Sequence, residues 1–208
     1  EGILPENCYC VRLYRTTYEG ERLVNTTQVN YVDPLDRKQI LEADQELRHQ
    51  MNIITDFLRK YVPGYEHCTI KTGASTLGIR ESRRFSGKYV MNISDLREAR
   101  RFPDVVVHKA QFVVDIHNPV GGGQANGIAE YVDAYDIPWR SLVPQKMENL
   151  ILAGRCISGT HEAMASYRVM AIAMAIGEAA GIGAALAIDH DVTPENLDVK
   201  YIQKALME

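Results

Sequence analysis

Asp115 and His117, two residues apart, are the first pair in this chain whose types could do chemistry together. If the stretch from Phe112 is a strand, Phe112, Val114 and Ile116 face one way and Val113, Asp115 and His117 the other, since side chains alternate across a strand. An imidazole oriented by a carboxylate can take a proton as a general base near neutral pH. A plain Asp/His pair on a strand surface stays open as the alternative, because paired polar groups are only probabilistic markers of a site. Upstream, Arg80, Arg83 and Arg84 could hold a substrate carboxylate, a sugar hydroxyl or a phosphate, and would be equally ordinary as a surface cluster. At period two, Arg80 and Arg84 share a face and Arg83 opposes them.

The third candidate is a loop. Leu150–Ala153 is a short apolar run that stops at Gly154-Arg155 and continues through Ser158, His161 and Ser166 into a long Ala/Gly-rich segment ending near Ile188. An apolar strand that opens through a glycine turn into a small-residue helix is how α/β folds bring backbone up to a cofactor. With a helix starting near Ser166, its free N–H groups and positive end would point at whatever lies beyond the strand. A core helix with Ser166 as an ordinary N-cap fits the same spacing.

Other apparent motifs fail. Gly73 and Gly78 have P-loop spacing, but Ile79-Arg80 stands where Lys-Ser/Thr is required. His161-Glu162 opens a zincin pattern that Ala165 breaks, and Gly121-Gly122-Gly123 lacks the third glycine and the flanking strand and helix of a dinucleotide fingerprint. These read as turns, and no metal site is expected. A hydrolase using Asp115 and His117 has no nucleophile motif such as GxSxG to work with.

Positioning these residues requires a fold. The pattern predicts a β-hairpin between Cys8 and Val29, turning at Glu19-Gly20. Asp33-Pro34 then starts a helix through Ile40, Leu47, Met51, Ile54 and Leu58 that Pro63-Gly64 ends. Strands follow at Phe85–Met91, at 112–117, within Tyr131–Ile137 and at Leu150–Ala153, with a loop at Pro119–Gly123 and a helical tail after 190. Composition bounds the classes. With 208 residues, 46% hydrophobic, and a net charge of −4, the chain suits a soluble globular protein and offers no basic stripe for nucleic acid. Cysteines at 8, 10, 68 and 156 give no paired ligand spacing and suit free thiols in a reducing, cytoplasmic setting. The start Glu1-Gly2-Ile3 lacks signal-peptide character, and Glu178 with Gly177, Gly181 and Gly183 makes the apolar run after Val169 a packed helix rather than a membrane span.

Several of these segments resemble, in order, a family of bacterial FAD-dependent oxidoreductases. The resemblance is carried by Asn149–Ser158, His161-Glu162-Ala163, Arg168-Val169-Met170 and Gly177–Gly181, and upstream by Gly78–Arg84, Gly87-Lys88-Tyr89 and Asp115-Ile116-His117. It covers the chain from about Asn25 onward and is specific for the family but not for a substrate. The resemblance implies FAD in the intact enzyme, with Gly154 and Arg155 toward the ribityl–phosphate region and Ser158 among the cofactor-binding residues. It also implies Ser166, Arg168, Val169 and Met170 near the isoalloxazine; His117, Asp115 and Arg80 are the catalytic candidates on their residue chemistry.

The family's opening GxGxxG unit is missing from the 208 residues. The chain therefore resembles a C-terminal half: a substrate-domain region over 1–145, a partial FAD-binding region over 146–190 and a tail over 191–208. The expected fold class is α+β, a mixed or antiparallel sheet plus a partial Rossmann-like strand–loop–helix. Hydride transfer from a small polar metabolite is the implied reaction. A small-molecule substrate and an N-terminal FAD-binding half or subunit are the implied partners, with self-association, weak or absent FAD in the isolated chain, and no nucleic acid or membrane. A non-catalytic binding module that keeps the substrate-domain fold is the competing expectation.

Overall fold

The computed structural model describes residues 3–8, 10–118 and 129–207. The loop expected at Pro119–Gly123, the glycine run within it and Tyr9 of the expected hairpin lie outside these residues. The architecture is α+β, with helices and two separate two-stranded antiparallel sheets. The chain divides into two compact units, residues 1–82 with 117–128 and residues 83–116 with 129–208.

In the first unit, β1 (Arg12–Arg15) pairs with β2 (Arg22–Asn25) as the expected hairpin, Leu13 opposite Val24 and Tyr14 opposite Leu23. Helix α1 spans Arg37–Tyr61. Its N-cap is Asp36, whose carboxylate accepts from the N–H groups of Lys38 and Gln39, so the helix begins three residues later than the Asp33-Pro34 signal implies. Asp33 instead accepts from the Leu35 N–H and holds the turn before the helix. The end is as expected: Val62 is extended and Gly64 turns with φ +88°. Ile54 and Leu58 on one face of α1 pack with Cys8, and Leu4, Leu13, Phe57, Val62, Tyr65 and Cys68 lie partly buried around them.

The second unit holds the larger core. Short α2 (Ile93–Arg97) starts with a reciprocal capping box between Asn92 and Asp95. β3 (Val105–Ala110) pairs with β4 (Tyr135–Pro138), with irregular register on either side of Val107. The β-branched run Val105-Val106-Val107 is an ordinary strand signal, so β3 was legible although the expected strands lay elsewhere. Helices α3 (His161–Tyr167), α4 (Met170–Asp189) and α5 (Val199–Ala205) complete the unit, and β3 packs against both α4 and α5. α4 is long and apolar enough to cross a membrane, yet Ile172, Ile176, Ala179, Gly183 and Ala187 form a stripe buried in this core. At Gly183 an added Cβ would sit 2.4 Å from Cη2 of Trp139, so the helix meets the indole through bare backbone.

Three expected strands are corrected. The 85–91 segment forms only single bridges, Gly87 to Pro144 and Met91 to Gly159. In the 112–117 segment Val114 bridges Glu130, and no named strand is formed among the described residues. Leu150–Ala153 makes no ladder. Asn149 has φ +56°, which interrupts extended backbone just before the run, and Leu152 gives its N–H to the Leu142 carbonyl. Of the 131–137 expectation, only β4 is strand.

Candidate functional site

The residues singled out around Ser166 and Arg168 meet at the corner between α3 and α4, and the corner is not the single helix start that spacing suggests. The Thr160 hydroxyl accepts from the Ala163 N–H and caps α3, which places Ser166 inside α3 rather than at an N-cap. Arg168 closes α3 through its N–H to the Met164 carbonyl, and extended Val169 (φ −71°, ψ 152°) separates the two helices. α4 then begins at Met170 with no side-chain cap among the described residues. Its first N–H groups have no acceptor within the helix and carry the positive end of a 20-residue dipole. Met170 at this end is 83% exposed.

Buried polar groups tie the corner to the 112–115 segment. The Ser166 hydroxyl donates to the Phe112 carbonyl at 2.6 Å, so at 2.8 Å it is the Tyr135 phenol that donates to Ser166 Oγ. Tyr135 and Ser166 are fully buried, and burial pushes the Tyr135 phenol up to about 12, which keeps it a neutral donor. Arg168 donates from Nη2 to the Asp115 carbonyl at 2.7 Å and lies 3.5 Å from its carboxylate. Asp115 is thus an anchor for Arg168. The division into units falls between Asp115, in the second, and His117, in the first.

Gly154 opens a 3-10 turn, Gly154–Cys156, that packs against α4. Its φ of +80° requires glycine, and nothing lies within 4 Å of where a Cβ would be. Arg155 beside it is exposed. Ser158 is fully buried against Gly87, with no hydrogen-bond partner for its hydroxyl among the described residues. Arg80 is exposed in the first unit, whereas Arg83 and Arg84 belong to the second. Arg84 donates to the Gly159 carbonyl at 2.9 Å. No regular element runs through 79–86, so the period-two relation among the arginines lapses.

A family model described as FAD dependent oxidoreductase matches residues 2–206. The chain belongs to that family. No curated protein and no solved structure matches it. Membership in an FAD-dependent oxidoreductase family implies FAD in the intact enzyme, and the donor set here suits an anionic group such as that cofactor carries. An uncapped helix start, an open glycine turn and the exposed Arg155 supply N–H groups and positive charge where an anionic edge or phosphate could be received. The hydroxyls of Ser158 and Ser166 are too buried to reach a ligand from these positions.

Sequence reasoning missed Tyr135, which lies on the strand it only half located. It also missed a second Asp/His pair, in which buried Asp136 lies 3.1 Å from His108 Nδ1 and accepts from Arg101 at 2.7 Å and from the Lys109 N–H at 3.2 Å. These partners lie 28 and 35 residues from Asp136 in sequence, as His108 and Arg101, and only the bulged β3–β4 pairing brings them together.

Proposed function

We propose that this chain is the C-terminal part of a flavin enzyme that oxidises a small polar metabolite by hydride transfer. The observation that carries the reading is the uncapped start of α4, a helix against which the open Gly154 turn packs, within a chain that matches the FAD-dependent oxidoreductase family. FAD, when bound, supplies the acceptor for the two electrons of a hydride. The first-turn N–H groups of α4, with Val169 and Met170, favour negative charge at the flavin's pyrimidine edge. Gly154 lets backbone approach the ribityl–phosphate region and Arg155 offers it a cation. His117 is our candidate for taking the proton that leaves with the hydride, and Arg80 for holding a polar substrate group.

We also propose an N-terminal FAD-binding half as the protein partner, with segment 150–189 as the returning part of a Rossmann-like domain. Supporting this, α4 leaves an apolar face uncovered among the described residues. Met174 and Ile188 are 74% and 80% exposed, and Gly177 and Gly181 have open space where a Cβ would be. A face of this kind is characteristic of a docking surface, and without its partner self-association is expected.

The test is a titration of the isolated chain with FAD and with FMN. The expected outcome is weak binding of both, within about threefold of each other, because the turn that would hold the pyrophosphate is not in these residues. FAD retained stoichiometrically through dialysis would overturn the proposed split. Binding of neither would overturn the flavin reading.

A further inference from the structure

Resting on that reading, we propose that Tyr135, Ser166 and Arg168 are positioning residues that act on the flavin through the entry to α4, which they fix by clamping one main-chain segment, Phe112–Asp115, and do not touch it themselves. Ser166 and Tyr135 are fully buried, so neither has a polar atom to offer a ligand. The single Ser166 proton is committed to the Phe112 carbonyl, and the Tyr135 phenol holds Ser166 in the rotamer that makes this bond. At the other end of the segment, Arg168 fixes the Asp115 carbonyl and lies beside its carboxylate, with its own side chain only 11% exposed. Between them the Val114 N–H is given to the Glu130 carbonyl at 2.8 Å. Three main-chain groups in four residues are therefore held, while the Phe112 ring remains 38% exposed. Arg168 ends two residues before α4 begins, so the clamp also fixes the entry to that helix.

Two residues that contact a cofactor independently lose affinity additively when both are removed. Two that clamp one segment do not, because the first loss already frees it. The experiment titrates FAD into the chain and into Ser166→Ala, Arg168→Gln and the double variant. Quenching of flavin fluorescence gives affinity, the absorption band at saturation gives the flavin's surroundings, and the apo melting temperature monitors folding. Each single variant is expected to bind roughly tenfold more weakly, as for loss of one hydrogen bond to a buried group. The double variant is expected to stay at about tenfold, with the same band shift in all three. Tyr135→Phe, which leaves the Ser166–Phe112 bond, should cost about threefold, and with Arg168→Gln it provides the same cycle should Ser166→Ala fail to fold.

A double-variant loss near a hundredfold would mean separate cofactor contacts and would overturn the clamp. A lowered apo melting temperature with unchanged affinity and spectrum would reduce these residues to structural ones. Absence of FAD binding by the unmodified chain would overturn the flavin reading and this inference together. FAD binding lost in Gly154→Val but unaffected by the clamp variants would overturn the inference alone.

Discussion

The two units bury their apolar residues very differently. Among the described residues of the first, the buried apolar side chains are Cys8, Ala43, Ile54 and Leu58, while Tyr18, Leu23, Tyr31, Leu35 and Leu41 are exposed. In the second, one cluster runs from Met91 and Leu96 through Tyr135, Ile137, Trp139 and Leu142 to Ile157, Tyr167, Ile176 and Ile202. The first unit therefore depends heavily on local terms within α1, namely its Asp36 cap and the intrahelical pairs Lys38–Glu42, Asp44–Arg48 and Asp56–Arg59. Such exposed pairs contribute little each, so α1 rests mainly on its cap and one thin apolar stripe. The second unit depends on contacts distant in sequence, which is where a fixed corner such as Tyr135–Ser166–Arg168 can be built.

The sharpest way to break this contrast is to empty each core in turn. Ile176→Ala is expected to destabilise the second unit by about 3–5 kcal/mol, and Ile54→Ala the first by about 2 kcal/mol, because a thinner core leaves a smaller unfilled cavity. Hydrogen exchange during denaturant titration, read separately for amides of each unit, measures both. Equal losses would show that the first unit is better packed than its exposure implies. A smaller effect is expected at Gly183→Ala. Alanine favours a helix over glycine by about 1 kcal/mol, but its methyl would meet the Trp139 ring, and overpacking of that kind costs about 1–3 kcal/mol. A raised melting temperature in that variant would mean the indole can move aside.

The smallest effect is a pH dependence confined to the first unit. Hydrogen bonds from the Gln39 side chain and from the Lys38 backbone hold the Asp36 carboxyl below its ordinary value. A carboxyl lowered on folding gives stability that is fully present above its unfolded pKa, about 4, and is lost as pH falls through the lowered folded value. Exchange of the first-turn amides of α1 should therefore quicken relative to the rest of the helix on acidification, and Asp36→Asn should remove that dependence. A pH response unchanged in Asp36→Asn would assign it to another group.

Legibility in the sequence follows the same division. The hairpin and α1 were readable because local signals decide them: Glu19-Gly20, a seven- and four-residue apolar spacing, and Pro63-Gly64. The start of α1 was misplaced because Asp33 and Asp36 both suit a cap, and the hydrogen bonds to Lys38 and Gln39 decide between them. In the second unit the Ala/Gly-rich helix was visible, but its break at Arg168-Val169 was not, since no proline or glycine marks it. The strand expected for Asp115 and His117 failed for a different reason. Alternation is a property of a paired strand, and among the described residues this stretch forms a bridge, Val114 to Glu130, rather than a named strand. Ser166 was picked out by spacing and resemblance and Arg168 by resemblance, whereas their pairing with Phe112, Tyr135 and Asp115 spans more than thirty positions.

The bare contact of Gly183 with Trp139 works as an index notch for α4. A helix seated on a ring edge through a missing side chain can neither rotate nor slip by one position without driving Ile182 or Ala184 into the indole. Thirteen residues separate Gly183 from Met170, roughly 20 Å of rigid rod. The compass bearing of the free N–H groups at the start of α4 is therefore fixed from the far end of the helix, and a change beside Trp139 would be felt there as a turn of the dial.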